Sequence, residues 1–130
     1  MKRLSCPSRC REITKNHQRY FTFDEDSWFS DDRNYAVEHG DDAAFAEYKS
    51  PGIYWVHFCF NTARGRKAID LVEEIFNYFC SRREVKTVVG LIEVGNKKAL
   101  WLIRQCGFST LGEVPTKIGL CEMFYRNKDL

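Results

Sequence analysis

Residues 53–60 read IYWVHFCF, a run of apolar and aromatic side chains broken by a single histidine. Such a run predicts a strand that is covered on both faces, in the middle of a sheet. Turn residues at 50–52 mark its start. Downstream, apolar residues recur with a helical period over 65–82, and 85–92 is again β-branched and apolar. We therefore expect strands 53–60 and 85–92 to be parallel neighbours that the helix connects.

Weaker elements lie on both sides of this unit, and together they predict an α/β (α+β) fold with helices packed against a mixed sheet. The length fits a single domain over 1–130, of which 1–34 is the least defined part. The additional elements are a short strand near 19–23, a loop or short helix at 24–34, strands at 35–38 and 43–48, a helix at 96–106, and closing strands at 108–113 and 118–126 joined across 114–117.

The composition is that of an average globular domain, with 44% hydrophobic and 29% charged residues. No stretch approaches the roughly 20 apolar residues that would span a bilayer. No apolar run follows the first basic residues, as it would in a secretory signal. We therefore expect a cytoplasmic protein without membrane contact.

The net charge of +2 hides an uneven distribution. Residues 24–47 carry nine acidic residues against Arg33, whereas 1–23 carry six basic residues against one acidic. The acidic segment is either a solvated surface or an acidic rim that attracts a cationic acceptor such as an amine. Nucleic-acid binding is disfavoured, because the basic residues that would serve it are scattered among acidic ones: Arg3, Arg9, Arg11, Arg82, Arg83 and Lys86.

The six cysteines do not predict a disulfide framework, because nothing in the sequence indicates secretion. Cys6 and Cys10 form a C-x3-C pair with His17 downstream, but the fourth ligand of a zinc site is missing, so we predict no metal. The remaining four lie in apolar patterns and are expected to be reduced and mostly buried: Cys59, Cys80, Cys106 and Cys121.

Five basic residues cluster at the predicted starts of the two helices. They are Arg64, Arg66 and Lys67 at the first helix, and Lys97 and Lys98 at the second. A helix N-terminus is already positive, so each exposed cation there costs about 0.3–1 kcal/mol. Either these cations are simply solvated, or they and the free backbone N–H groups bind an anion such as a phosphate.

Two motifs in these regions resemble those of the GNAT acyltransferase superfamily. Residues 64–69, RGRKAI, resemble the start of the Q/R-x-x-G-x-G/A loop that cradles the coenzyme A pyrophosphate in that family. Lys67 and Ile69 stand where the loop has small residues. The second motif, N-x-x-A-x-x-L-Y-x-x-x-G-F, is matched at Asn96, Ala99, Leu102, Gly107 and Phe108.

The resemblance covers about 53–126 and implies a GNAT-like fold, a mixed, mostly antiparallel sheet with a central parallel strand pair and flanking helices. It also implies acetyl-CoA as cosubstrate, with no metal, and 53–126 as the acyl-CoA-binding core. The coenzyme-binding residues it implies are Cys59, Phe60, Arg64, Gly65, Arg66, Lys67, Ala68, Asn96 and Lys98.

The activity that the resemblance implies is N-acetyl transfer to a lysine or N-terminal amine. His57 is the candidate general base, because imidazole titrates near neutral pH and this residue lies on the central strand. The other interpretation is a hydrogen-bonded core histidine. Ile103 stands where the family has the tyrosine that protonates the leaving thiolate. Tyr54, Cys106 and Tyr125 are candidates to replace that tyrosine.

The missing tyrosine leaves a second function open. The strand segment WVH at 55–57, the short helix and the Gly107-Phe108 ending most resemble the small GNAT-like proteins encoded by tailed bacteriophages. The missing tyrosine and the departures from the glycine loop at Lys67 and Ile69 favour a catalytically weak or inactive protein acting in phage morphogenesis, virion assembly or binding. In either case the expected partners are acyl-CoA and an amine-bearing protein or small molecule. Phage structural proteins and a second copy of the chain, in a homodimer, are further candidates.

Overall fold

The computed structural model describes residues 1–21 and 23–128. Within these residues no helix is both long enough and apolar enough to cross a bilayer. In chain order the elements are β1 (Lys2–Leu4), α1 (Pro7–Thr14), α2 (Glu25–Ser30), β2 (Tyr35–His39), β3 (Asp42–Ser50), β4 (Ile53–Cys59), α3 (Gly65–Cys80), β5 (Thr87–Glu93), α4 (Lys97–Arg104), β6 (Ser109–Thr116) and β7 (Gly119–Asn127).

All of these strands form one sheet in the order β1-β2-β3-β4-β5-β7-β6. Neighbouring strands are antiparallel except β4 and β5, which are parallel. This confirms the predicted mixed, mostly antiparallel sheet with a parallel pair at its centre. The connection between the two parallel strands runs through α3, as the helical period over 65–82 predicted.

Side chains alternate between the two faces of β4 and so define the layers of the fold. Tyr54 packs with Phe79 of α3 on one face. Cys59 packs with Ile13 of α1 and Trp28 of α2 on the other. The sheet is therefore sandwiched between the α1–α2 pair and α3, because each helix buries its apolar stripe against one face.

The helix α4 lies on the same face as α3. Phe58 of β4 contacts both the core under α3 and the cluster that Leu100, Ile103 and Phe124 form under α4. Gly107, with a φ of +73°, follows α4 in the left-handed conformation that often closes a helix. Both α3 and α4 begin and end within two residues of their predicted bounds.

The N-terminal region differs from the prediction. The strand expected near 19–23 is wrong, because the described part of that segment turns, with the Phe21 amide bonded to the His17 carbonyl. Thr22 lies outside the described residues. The elements β1 and α1 were not predicted, since β1 is very short and α1 is mostly polar. Pro7 at the first position of α1 is its main sequence signal.

The closing hairpin is longer than predicted. A turn was expected over 114–117, but β6 continues through Pro115 to Thr116, and only Lys117 and Ile118 form the turn. Proline is tolerated in this strand because β6 lies at the edge of the sheet, where a missing N–H need not pair.

Candidate active site

The parallel strands β4 and β5 pair over only a short distance. Pairing ends where Trp55 lies opposite Val89, whereas β4 continues to Cys59 and β5 to Glu93. On their outer sides both strands remain paired, β4 with β3 and β5 with β7. The sheet therefore splits into a gap, and its two edges carry backbone N–H and C=O groups that a ligand can bind.

A cavity of about 740 Å³ occupies this gap, a volume typical of small-molecule sites. Its walls come from both faces of the sheet: α3 and α4 on one side, and the segment after α1 on the other. Apolar side chains form most of the wall. Some of the described lining residues have titratable or polar side chains, and others were predicted as site residues. Together they are His17, Tyr20, His57, Phe60, Arg64, Gly65, Ala68, Glu93, Asn96, Lys97 and Lys98.

One buried carboxylate holds the loop between β4 and α3. Asp42 accepts hydrogen bonds from the amides of Asn61, Thr62 and Ala63 at 2.6, 2.8 and 3.1 Å, and from the Thr62 hydroxyl at 2.7 Å. Burial by itself would raise the pKa of Asp42, but these hydrogen bonds outweigh it and keep the pKa below its ordinary value. Asp42 thus fixes the backbone that leads into α3.

The first turn of α3 is suited to binding an anion. Gly65 begins the helix with a φ of +55°, a conformation that favours glycine. Gly65, Arg64 and Ala68 all line the cavity. The Arg64 guanidinium donates to the Ala63 and Asn61 carbonyls, which keeps the cation next to the helix N-terminus. Backbone N–H groups in this turn have no partner within the helix and are free for phosphate oxygens.

Three of the predicted coenzyme residues turn their side chains elsewhere. Arg66 pairs with Asp70 at 3.3 Å on the exposed side of α3, and Lys67 is also exposed. Cys59 donates its thiol to the Ile13 carbonyl under α1, and burial raises its pKa to about 12. These three residues are not among the described residues that line the cavity, and their contacts with the coenzyme stay a prediction.

The start of α4 lies across the gap from the start of α3. The Oδ1 atom of Asn96 accepts the Ala99 amide at 3.3 Å, so Asn96 is the N-cap of α4. Asn96, Lys97 and Lys98 line the cavity. Two helix N-termini and their cations therefore meet one cavity and form a single electropositive wall.

His57 lines the cavity from the side opposite the two helix N-termini. It lies on the face of β4 that carries Cys59. Its Nε2 atom is 3.6 Å from Oε2 of Glu47 on β3, and its ring lies edge-on to Phe21. Glu47 also accepts a hydrogen bond from Lys49 at 2.6 Å. His57 and then Lys49 lower the pKa of Glu47 to about 2, although burial opposes this. The carboxylate therefore stays ionised and can stabilise the imidazolium that forms when His57 takes a proton.

The position of the missing tyrosine is apolar. Ile103 is 3% exposed and packs beneath α4 beside the cavity. The three candidates to replace the tyrosine are not among the described lining residues, so the cavity gives that prediction no support. Tyr54 is buried under α3, where burial raises its pKa, and burial raises the pKa of Cys106 to about 11. Tyr125 lies on β7, opposite Val89 and Ser109.

Two cavity residues that the sequence did not indicate as site residues are His17 and Tyr20, which lie between α1 and α2. Arg19 ties their segment to β5, because its Nε and Nη2 atoms donate to Oε2 of Glu93 at 3.1 and 2.8 Å. The Arg19 Nη2 atom also donates to the Ile118 carbonyl at 3.2 Å. The segment has no strand or helix period. In the sequence, the feature that could indicate a site there is a histidine and a tyrosine in an irregular stretch.

The acidic segment 24–47 serves mainly within the fold. An acidic rim for a cationic acceptor stays a prediction, and within the segment Glu47 contacts His57 of the cavity wall. The acidic side chains of the segment that bond to other groups of the chain are Asp24, Asp31, Glu38, Asp41, Asp42 and Glu47.

The cysteines are placed largely as expected. Cys59, Cys106 and Cys121 are buried and Cys80 is half-buried. Cys10 is buried as well, and Cys6 is exposed at the start of α1. Within residues 1–21 and 23–128, no cluster of three or more histidine, cysteine or acidic side chains is placed to hold a metal ion.

Comparison with known proteins supports the fold. No protein-family model and no curated relative matches the sequence. The structure is similar to a chimera of the spermidine N-acetyltransferase SpeG from Vibrio cholerae and hSSAT, with a TM-score of 0.77 at 14% identity over 97% of this chain and 95% of that one. It is also similar to the aminoglycoside acetyltransferase AAC(6')-Ib in complex with coenzyme A, with a TM-score of 0.61 at 15% identity over 78% of this chain and 70% of that one.

A structure of AAC(6')-Ib with coenzyme A and kanamycin gives a TM-score of 0.59 at 15% identity, over 73% of this chain and 66% of that one. At such identities the likeness concerns the fold. The chain therefore has the fold of the GNAT acetyltransferases, as the two sequence motifs implied.

Proposed function

We propose that this protein is an acyl-CoA-dependent N-acetyltransferase acting on an amine. The observation that carries the proposal is the gap between β4 and β5, with two helix N-termini on one side and two histidines on the other. The chemistry of acetyl-CoA suits these walls. Phosphates suit the helix N-termini and their cations, amide groups suit the unpaired strand edges, and alkyl groups suit the apolar lining.

The coenzyme is assigned to the α3 and α4 side of the cavity, within the 53–126 core. Because their side chains or backbone line that side, six predicted residues are proposed to contact it directly: Phe60, Arg64, Gly65, Ala68, Asn96 and Lys98. Cys59, Arg66 and Lys67 are proposed to contribute only backbone groups. Asn96 combines this contact with its capping bond.

Catalysis is proposed to proceed by direct transfer. The amine nitrogen bonds to the acetyl carbonyl carbon, the carbon–sulfur bond breaks, and coenzyme A leaves as the thiol after its thiolate takes a proton. A backbone amide on the split edge of β4 polarises the carbonyl. His57 accepts the amine proton, directly or through water, and Glu47 stabilises the resulting imidazolium. Holding the two reactants together in the gap supplies most of the acceleration.

The acceptor is proposed to be a cationic amine that enters from the α1–α2 side. The sequence predicts a lysine or N-terminal amine of a protein. The similar structures are named for spermidine and for aminoglycosides, which are amines of small molecules. Glu47, which stays ionised beside His57, favours a cationic acceptor of either kind.

The test is single-turnover transfer from labelled acetyl-CoA to lysine peptides, N-terminal peptides, spermidine and kanamycin. We expect slow transfer by the wild type that rises with pH, because the amine must lose a proton. His57→Ala should lower the rate by about 10²–10⁴-fold. Ile103→Tyr should raise it by restoring a phenol, at a stability cost of about 1–3 kcal/mol from overpacking. Normal coenzyme binding without acetyl transfer to any of these acceptors would refute the proposed transferase activity.

A second candidate is a GNAT-fold protein that has lost most catalysis and serves as a binding or assembly factor. The buried Ile103 favours it, since an apolar side chain cannot protonate a thiolate. This candidate predicts coenzyme binding without transfer, together with a specific protein partner. The phage origin, the cytoplasmic location, the homodimer and the single domain over 1–130 stay predictions that accompany either function.

A further inference from the structure

His17 lies in the cavity wall and has a defined set of hydrogen bonds. Its Nε2 atom is 2.8 Å from Oδ1 of Asn61. The Asn61 Nδ2 atom donates to the Ile13 carbonyl at 3.0 Å and to the Asp41 carbonyl at 2.7 Å. An amide turned the other way would set its oxygen against two carbonyl oxygens, so Oδ1 must face the histidine. Because Oδ1 accepts, Nε2 of His17 must donate.

This arrangement selects one tautomer of neutral His17. The proton sits on Nε2, and the lone pair is on Nδ1. Among the described residues, the Nε2 bond to Asn61 is the one hydrogen bond of the ring. Asn61 is itself held by Asp42, which accepts its backbone amide at 2.6 Å. His17 therefore lines the cavity with a lone pair on Nδ1 that can accept a proton.

The site contains two such groups on one side of the sheet. Phe21 lies edge-on to both His17 and His57, with ring centroids 6.4 and 6.2 Å away. The charged and titratable groups that line the cavity with His17 are Tyr20 on its own segment, His57 on β4, Arg64 at the start of α3, and Glu93, Lys97 and Lys98 across the cavity. Asp42 on β3 lies behind Asn61, whose backbone amide it accepts. Arg19 neutralises Glu93, so the surroundings of His17 are not strongly acidic.

We infer that His17 is a second catalytic base, one that takes the first proton from an acceptor arriving as an ammonium ion. An alkylammonium group, with an ordinary pKa of about 10.4, must lose one proton before it can attack and another as the new bond forms. The Nδ1 atom of His17 accepts the first proton and passes it to solvent. His57 accepts the second proton, which leaves with the coenzyme thiol. The sum is ammonium plus thioester giving amide, thiol and one released proton.

The apolar cavity assists the first transfer, because desolvation lowers the pKa of a bound ammonium group toward that of imidazole. This inference rests on the proposed transferase function. It adds a second base, which deprotonates the proposed cationic amine, and it assigns Asn61 as the residue that positions His17.

The test compares pH profiles of kcat/KM for spermidine and a lysine peptide in four proteins: wild type, His17→Gln, His57→Gln and His39→Gln. Glutamine at 17 can still donate to Asn61 but cannot take up a proton. His39 is the matched control, an exposed histidine at the end of β2 outside the cavity lining. We expect His17→Gln to lower kcat/KM by about 10²-fold near pH 7. The loss should shrink as pH rises and the amine arrives neutral.

A loss in His17→Gln that is equal at every pH, or absent, would overturn this inference and leave the transferase intact. No transfer by the wild type would overturn both. Nitrogen NMR of histidine-labelled protein adds a readout that needs no turnover. Neutral His17 should carry its proton on Nε2, and a proton on Nδ1 would contradict the inference.

Discussion

The two sides of the sheet were built from different kinds of sequence. Residues 53–108, which supply the gap, α3 and α4, consist of apolar strand runs and of helices with a clear apolar stripe. Residues 1–34, which cover the opposite face, are short elements and turns held by individual contacts such as Arg19 with Glu93. The first region is specified locally and forms the proposed coenzyme side. The second is specified by what it packs against and forms the proposed acceptor side.

The contrast predicts that a substitution on the coenzyme side can abolish coenzyme binding and leave the structure of the acceptor side unchanged. Gly65→Glu places a side chain and a negative charge at the first turn of α3, where the pyrophosphate is proposed to bind. We expect the rise in Tm that acetyl-CoA causes to disappear. A positive φ at a non-glycine residue costs about 1–2 kcal/mol, so the apoprotein also loses stability.

The matched control is Gly40→Glu. Gly40 has nearly the same φ, +59°, and at both glycines an added Cβ would meet open space, but Gly40 lies in the β2–β3 turn away from the cavity. The Gly40→Glu protein should lose comparable stability and keep the full coenzyme shift. If both variants bind coenzyme alike, the anion site is not at α3.

Asp42 joins the two regions, because it lies on β3 and holds the loop that leads into α3. Asp42→Asn should cost about 2–3 kcal/mol of unfolding free energy, since a buried charge that accepts four hydrogen bonds is lost. Coenzyme affinity should fall as well. Chemical denaturation with calorimetric titration measures both.

The neighbouring Asp41→Asn is the control, because Asp41 is exposed and its ion pair with Arg9 is worth little. The pH dependence gives a second check. The folded-state pKa of Asp42 is lowered, so its contribution is full above the ordinary pKa and is lost as pH falls through the folded value. Equal effects of the two substitutions would mean that Asp42 does not organise the loop.

Asn96→Ala separates helix capping from coenzyme binding. Removing the cap should cost about 0.5–2 kcal/mol, and coenzyme affinity should weaken because Asn96 lines the cavity. Asp24→Ala removes the cap of α2 on the other side of the sheet, where no coenzyme is proposed. It should reduce stability with unchanged affinity. If the coenzyme affinity of Asn96→Ala is unchanged, Asn96 acts only as the helix cap.

The smallest expected effect concerns Glu47, beside the proposed base. Its pKa falls from 4.5 to about 2 through His57 and then Lys49, so its contribution is full above pH 4.5 and is lost as pH falls toward 2. Because its partners are partly exposed, these interactions contribute about 1 kcal/mol to the free energy of unfolding. Stability of Glu47→Gln should therefore change less between pH 5 and 2 than that of the wild type. Parallel acid-denaturation curves would contradict the pairing.

The sequence by itself determined the centre of the molecule. The run at 53–60, the stripe over 65–82 and the cap at Asn96 depend on interactions within a few residues of one another, so they can be recognised along the chain. The same reasoning placed the cations at the helix starts. The family resemblance added Gly65 and His57 as site residues, and the structure puts both in the cavity wall.

Only the tertiary structure decided which residues from distant parts of the chain contact those strands and helices. The splitting of β4 from β5, the turning of Cys59 away from the cavity, and the bond from His17 to Asn61 link residues far apart in sequence. The absence of a strand in the described part of 19–23 follows from the same cause, because that segment is fixed by contacts with β5 and the β6–β7 turn. Long-range contacts leave no periodic trace in the chain, which is why the acceptor side could be seen only once it was folded.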